Sequence, residues 1–239
     1  MSEHIVTAFD QDLKQLAGKI AEMGGLAETI VNDAITALMR MDGELAQAVI
    51  QADRRLDALQ FHIEDQAVLM IARRQPMAGD LRQIVAAMRT CNELERVGDL
   101  AKNIAKRVIA IGGELRSKKL AIGVEHMAEL AMVQLKTVLD AYMQSDAETA
   151  KAVRERDEEI DRLYTSLFRE LLTYMMEDPR NITFCAHLLF CAKNIERIGD
   201  HATNIAENVH YMITGQQLTD ERPRTDEIDI AAVDGDNDD

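Results

Sequence analysis

Pairs of acidic residues four positions apart occur twice in each half of this sequence. In the first half they are Asp53 with Asp57 and Glu95 with Asp99, and Asn103 follows four residues later. At about 100° per residue, the last three side chains fall within an arc of about 80° on one helix face. Each half therefore carries the same set of oxygen-bearing side chains, which in the second half are Asp157, Asp161, Glu196, Asp200 and Asn204.

Carboxylate and amide oxygens are ligands for hard cations such as Mg²⁺, Ca²⁺, Mn²⁺ or oxygen-ligated iron. Acids at this spacing destabilise a helix by a few tenths of a kcal/mol, so helix stability alone does not explain their recurrence in both halves. The alternative is a solvated acidic face, whose charge is relieved by Arg96, Arg197, Arg54 or Lys102. Arg96 and Arg197 either orient the carboxylates or form simple intrahelical ion pairs. His201 is either an additional ligand or a partly exposed helix histidine. Neither set contains the cysteines or paired histidines of a structural zinc site, or the Glu-x-x-His of di-iron bundles.

The chain is a tandem repeat, and the acidic residues belong to its most similar part. Residues 95–105 and 196–206 are identical at eight of eleven positions, at an offset of 101. Gly98 and Gly199 recur inside this segment. Because a glycine in a helix interior costs about 1 kcal/mol relative to alanine, their recurrence predicts that a neighbouring helix approaches closely at both positions.

Hydrophobic residues at helical spacing predict six long helices, three in each half. Pro76 and Pro179 mark the turn before the third helix of each half, since the residue before proline is pushed out of the helical region. Gly112-Gly113 predicts the end of the third helix. Gly24-Gly25 predicts that the first helix is kinked or loosened there. The predicted helices span residues 5–41, 44–74, 78–111, 121–144, 146–177 and 180–214.

These helices predict an all-α fold of two tandem, sequence-related three-helix bundles. Short turns between long helices are typical of up-down-up bundles. We place the first bundle at residues 1–114 and the second at residues 115–215. Residues 216–239 contain nine acidic residues and two arginines and lack helical periodicity, so we predict a disordered acidic tail there.

Composition narrows the classes of partner. The 239 residues carry a formal net charge of −15, which argues against nucleic acid as a partner because phosphate binding needs a basic face. No apolar run approaches the roughly 18 residues of a membrane span, so we expect membrane association only through partners. The odd number of cysteines, three, argues against a disulfide framework and favours buried thiols. An N-terminus without a signal-peptide pattern favours a reducing, cytoplasmic compartment. These cysteines are Cys91, Cys185 and Cys191.

Three features of the sequence resemble a known family. They are the duplicated Glu-Arg-[Val/Ile]-Gly-Asp-x-Ala-x-Asn-Ile-Ala, the Asp-x-x-x-Asp pairs, and the Gln-Pro-Met-Ala-Gly-Asp-Leu-Arg of residues 75–82. Together they resemble the PhoU family. The resemblance covers roughly residues 5–214. It implies a cytoplasmic, usually dimeric regulator and not an enzyme. It also implies a negative regulator of the phosphate-starvation regulon and of phosphate uptake. Such a protein is an adaptor between the ATPase subunit of the phosphate ABC transporter and a membrane sensor histidine kinase.

The resemblance also bears on the acidic residues. Members of the PhoU family carry metal ions, in some cases iron or zinc clusters, on these motifs, so all ten residues named above become predicted metal ligands. The metal itself stays open among Mg, Mn, Fe, Zn and Ca. Two other functions are compatible with the residues alone, a metal-dependent hydrolase using the carboxylate clusters and a metal-free helical scaffold.

Overall fold

Seven α-helices and one short 3₁₀ helix make up most of the residues that the structure describes. The computed structural model describes residues 2–113 and 118–218. Over these residues the helices are α1 (Ser2–Arg40), α2 (Gly43–Arg74), α3 (Ala78–Ile111), α4 (Lys118–Gln144), α5 (Ala147–Glu155), α6 (Asp157–Glu177), η1 (Pro179–Asn181) and α7 (Ile182–Thr214).

The helices form two bundles that share one core. Helices α1, α2 and α3 pack on one another, and α4, the α5–α6 pair and α7 do the same. The bundles join where α3 packs against α7 and α1 packs against α4, and a continuous hydrophobic cluster runs through both. The predicted all-α fold of two related three-helix bundles is confirmed.

The helices begin and end at residues with characteristic backbone conformations and caps. Asp42 caps α2, its carboxylate accepting a hydrogen bond from Leu45 N at 2.9 Å. Gln75, directly before Pro76, has φ 49° and ends α2 in the left-handed region. Gly112 and Gly113 have φ 55° and 83°, a conformation that glycine adopts without steric cost. The predicted ends of the second and third helices are therefore confirmed.

One prediction about helix continuity is wrong. Helix α1 passes through Gly24 without a break, and a Cβ at Gly24 would lie 2.8 Å from Leu139 Cδ1 of α4, so this glycine permits close packing of α1 against α4. The predicted helix 146–177 is broken at Arg156, whose carbonyl accepts a hydrogen bond from the buried Gln134 of α4 at 3.1 Å. The break leaves Asp157, a predicted ligand, at the start of α6.

The remaining sequence predictions concern the tail, the membrane and the cysteines. Residues 219–239 of the predicted tail and the predicted boundary at residue 114 lie outside the described residues. No described helix is both long and apolar enough to cross a membrane. Cys91, Cys185 and Cys191 are free and buried, and burial raises the pKa of Cys91 and Cys191 to about 12. As predicted, these thiols are core residues.

Candidate functional site

A close crossing of α2 and α3 creates the first carboxylate cluster, which we define as Asp53, Asp57, Glu95 and Asp99. A Cβ at Gly98 would lie closer than 3.0 Å to Leu56 of α2 and 3.3 Å from Asp53 Oδ1. Only glycine leaves room for α2 at this distance. The predicted close approach is confirmed, and it places acids of the two helices in electrostatic contact.

The first cluster contains its own cation, the ammonium of Lys102. Its Nζ lies 2.5 Å from Asp53 Oδ2 on α2 and 2.5 Å from Asp99 Oδ1 on α3. Asp53 is 3% exposed, and a carboxylate this deeply buried is costly unless it is paired and hydrogen-bonded. Lys102 supplies both the charge and the hydrogen bond, and so joins the two helices.

The pKa values of Asp57, Glu95 and Lys102 are shifted by burial and by the neighbouring charges of the cluster. Burial and then Asp53 raise the pKa of Asp57, with a smaller opposing effect from Lys102. Burial and then Asp99 raise the pKa of Glu95. Burial lowers the pKa of Lys102, but its hydrogen bonds to Asp53 and Asp99 outweigh this effect and the pKa is raised. The lysine therefore stays charged at neutral pH.

Two further polar residues of α3, Asn103 and Arg96, are not part of the first cluster. Asn103 is exposed on α3. Arg96, whose side chain is 63% exposed, lies 3.5 Å from a Glu95 oxygen and 3.6 Å from an Asp99 oxygen. Both contacts are within α3, which supports the simple intrahelical ion pair among the alternatives for this arginine.

The second carboxylate cluster lies between α6 and α7 and consists of Asp157, Asp161, Glu196 and Asp200. Here a Cβ at Gly199 would lie 2.8 Å from Ile160 Cδ1 of α6, so glycine again permits the close crossing of two acidic helices. Burial, followed by Asp157, Glu196 and Asp200, raises the pKa of Asp161 to about 6. All four carboxylates therefore interact, as in the first cluster.

The second cluster differs from the first in its polar partners. Asp157, 5% exposed, accepts a hydrogen bond from the neutral hydroxyl of Thr203 at 3.0 Å. Lys193 Nζ lies 2.8 Å from Glu196 Oε1, but the lysine side chain is 50% exposed and sits at the edge. The other oxygen, Glu196 Oε2, is buried and has no hydrogen-bond partner among the described residues.

Asn204 reaches across to the first bundle. Its side-chain amide donates to Glu93 Oε2 of α3 at 2.9 Å, and His201 Nδ1 lies 2.6 Å from the same oxygen. Both residues thus contact the other bundle. The sequence did not single out Glu93, because a lone acid in a helix has no recognisable spacing. The sequence names Lys102 only as a cation that relieves a solvated acidic face, and its bridging of α2 and α3 was not predicted.

Neither cluster has its described side chains arranged around a metal ion, but the two clusters differ in the donors they offer. Within residues 2–113 and 118–218, no three His, Cys, Asp or Glu side chains are arranged to hold one. In the first cluster, Lys102 Nζ already occupies the space between Asp53 and Asp99, so this set does not fit a metal. The second cluster offers four carboxylates and one buried oxygen without a partner, a donor set with the composition that hard cations prefer.

Fold and site together define a helical protein of two repeated bundles, each with a carboxylate cluster between its last two long helices. The PhoU domain matches this chain twice, over residues 20–108 and 124–209. The chain belongs to the PhoU family.

Relatives match along almost the whole chain. A phosphate-specific transport system accessory protein PhoU homolog of Rhizobium meliloti is 62% identical, covering 93% of this chain and 94% of its own length. One from Caulobacter vibrioides is 52% identical, covering 95% and 98%. The crystal structure of PhoU from Pseudomonas aeruginosa matches with a TM-score of 0.81 and 38% identity, covering 87% of this chain and 100% of that one.

Proposed function

We propose that this chain is a regulatory accessory protein of phosphate transport that represses the phosphate-starvation regulon and restrains phosphate uptake. The 62% identity to the Rhizobium meliloti protein over nearly the full length is the observation that carries this proposal. A structure of 29% identity and TM-score 0.81 is described as a phosphate transport system regulatory protein, which supports the same role.

The chain acts in this proposal by binding and not by catalysis. It works in the cytoplasm as a homodimer and connects the ATPase subunit of the phosphate ABC transporter to a membrane sensor histidine kinase. Two bundles joined through one core make a rigid body, which suits an adaptor that must hold two partners in fixed relation.

Metal binding is the second part of the proposal. Asp157, Asp161, Glu196 and Asp200 are the residues that would hold a divalent or trivalent ion. Such an ion would supply positive charge that offsets the crowded carboxylates and attracts an acidic group of a partner. The raised pKa of Asp161, caused first by burial and then by Asp157, Glu196 and Asp200, supports this proposal, because it reflects carboxylates held close together in a partly buried place.

The metal-free scaffold is the second candidate, and the ion pairs of Lys102 with Asp53 and Asp99 favour it. These ion pairs offset part of the negative charge of the first cluster without a metal. The hydrolase has less support. A cavity of about 640 Å³ lies between α1 and α4, and no cluster residue lines it.

Deletion of the gene and complementation test the regulatory role. In phosphate-rich medium, we expect the deletion strain to express phosphate-starvation genes and to take up phosphate faster, and the wild-type gene to restore both. Unchanged expression and uptake on deletion would overturn the proposal. Asp161→Asn with Asp200→Asn tests the contribution of the second cluster, with exposed Glu44→Gln as the matched control.

A further inference from the structure

The cavity between α1 and α4 is a groove at the junction of the two bundles. Every side chain that lines it belongs to one of these two helices. The helices touch at one end, since a Cβ at Gly24 of α1 would lie 2.8 Å from Leu139 Cδ1 of α4. Beyond that contact the lining residues run up α1 from Glu28 to Arg40 and back down α4 from residue 133 to residue 125. We call this space, with its lining residues, the α1–α4 groove.

The floor of the α1–α4 groove is apolar. Ile35 and Ala128 are buried there, and Met39 and Met132 are partly buried against the core. Val133 adds an apolar side chain that is 49% exposed. From Glu28 to Arg40 the groove follows α1 for about 18 Å at a rise of 1.5 Å per residue, or about three helical turns. A groove with this length and floor fits the apolar face of an amphipathic helix.

The rim of the α1–α4 groove is acidic. Its charged side chains are three carboxylates and one guanidinium, those of Glu28, Glu125, Glu129 and Arg40. Glu129 has a histidine of its own helix, His126, at 3.6 Å. Burial raises the pKa of Glu28, while Lys136 of α4 lowers it to a smaller extent. A cation brought to this rim would therefore meet an excess of carboxylates over positive groups.

Charge also bears on the kind of occupant. Residues 219–239 of this chain contain nine acidic residues and two arginines, so an acidic rim would repel them. A helix whose polar face carries lysines or arginines has the complementary charge, and such complementarity both steers encounter and selects the partner.

We propose that the α1–α4 groove is the docking site for a basic amphipathic helix of a partner protein. The apolar face of that helix lies on Ile35, Met39 and Met132. Its basic side chains lie near Glu125 and Glu129. This inference rests on the adaptor part of the proposed function, to which it adds the surface and the chemistry of one partner contact. No residue of either carboxylate cluster lines the groove, so docking here does not depend on metal.

A designed peptide tests the chemistry of the occupant. The probe is a fluorescein-labelled peptide of leucine and lysine of about 15 residues, just over four helical turns, with its leucines on one face. A peptide of the same composition with the leucines scattered around the helix is the control. Fluorescence anisotropy with the full chain measures the Kd of each, and we expect the scattered peptide to bind more weakly. Equal binding of the two peptides, or no binding of the probe, would overturn the proposal.

Charge reversal locates the binding. We expect Glu125→Lys with Glu129→Lys to raise the Kd of the probe roughly tenfold or more. Glu22→Lys with Glu177→Lys is the matched control, since it reverses two exposed acids outside the groove and gives the same net charge. Equal weakening by both pairs would show general attraction to an acidic protein and would contradict docking in the groove.

A fluorophore in the groove gives a second readout that needs no change of charge. The three native thiols are buried and have raised pKa values, so a thiol-reactive, environment-sensitive dye should label an introduced surface cysteine selectively. We expect the probe to change the emission of dye on Val133→Cys but not of dye on Ser166→Cys, which is exposed on α6. An unchanged emission at Val133→Cys while the probe binds would place the peptide elsewhere.

The complemented deletion strain separates this inference from the proposed function. We expect the wild-type gene and the control pair to restore repression, and the groove pair to fail although its protein is folded. Full repression by the groove pair would overturn the docking site and leave the regulatory role intact. A deletion without effect would instead overturn the regulatory role, whatever the peptide does. Conversion of a dimer to a monomer by the groove pair, measured by light scattering, would identify a second copy of the chain as the occupant and would overturn the partner helix.

Discussion

Replacing Gly98 by alanine should destabilise the protein, although the same change stabilises an ordinary helix. Gly98 is buried at the crossing of α2 and α3, where an added Cβ would lie closer than 3.0 Å to Leu56 Cδ2 and 3.3 Å from Asp53 Oδ1. Gly18 of α1 is exposed, and a Cβ there would meet no atom within 4 Å. The two glycines therefore differ in packing but not in helical context.

The size of the effect follows from two opposing contributions. Glycine to alanine in a helix interior favours folding by about 1 kcal/mol, and this gain applies at both positions. At Gly98 the added methyl overpacks against Leu56, which is fully buried, and overpacking costs about 1–3 kcal/mol. We expect Gly18→Ala to stabilise by up to about 1 kcal/mol and Gly98→Ala to fall about 1–3 kcal/mol below it.

Urea unfolding of both variants and the wild type, in buffer with chelator, measures this difference. The free energies of unfolding from linear extrapolation give the packing contribution as Gly98→Ala minus Gly18→Ala, in which the helix propensity cancels. Equal stabilisation by the two substitutions would refute the argument that glycine is required for the α2–α3 approach. A lower stability of Gly18→Ala than wild type would refute the propensity contribution.

Three further predictions concern stability. Lys102→Met should cost on the order of 3 kcal/mol because it leaves buried Asp53 without its cation, and Lys106→Met should cost nearly nothing in the same urea titration. Asp42→Ala should cost about 1 kcal/mol through the lost cap of α2, which thermal unfolding measures. Asp161 has its pKa raised from 3.8 to about 6, so the folded chain keeps this proton after the unfolded chain has lost it. The contribution of this protonated carboxyl group to the free energy of unfolding is fully present below pH 3.8 and is lost as the pH rises through about 6. In metal-free unfolding experiments, the free energy of unfolding of Asp161→Asn should therefore increase relative to that of the wild type as the pH rises through this range. A difference in unfolding free energy that does not change with pH would contradict the prediction.

Sequence pattern was sufficient to predict the fold because the signals are local and repeated. Apolar periodicity, prolines and paired glycines determine where helices begin and end, and α3 has the predicted bounds. The failure involves a contact between helices. Nothing near Arg156 marks a helix end, since the break coincides with a hydrogen bond from Gln134 of α4. The close packing of Gly24 was likewise not predictable, because its neighbour, Leu139, lies far away in sequence.

The candidate site was predictable only in its acidic members. The four-residue spacing predicts which carboxylates share a face, and in each copy the structure brings four of the five predicted residues together. The asparagines share the spacing but lie at its outer end, where Asn103 is exposed and Asn204 reaches Glu93 of the other bundle. The sequence names Lys102 only as a cation near the acidic face, and its contact with Asp53 was not predictable because Asp53 is 49 residues away.

At both helix crossings the close packing of two helices brings carboxylates together, and the two crossings differ in the side chains that contact those carboxylates. Gly98 and Gly199 allow each acidic helix to lie against the next, and the same close approach forces carboxylates together in a partly dry region where their repulsion is strong. A helix crossing of this kind requires positive charge from some source. Lys102 provides it within the first copy, whereas Thr203 does not in the second. The second cluster instead has the hydroxyl of Thr203 on Asp157 and Lys193 at its edge, and its stability depends on pH through Asp161, whose pKa is raised to about 6.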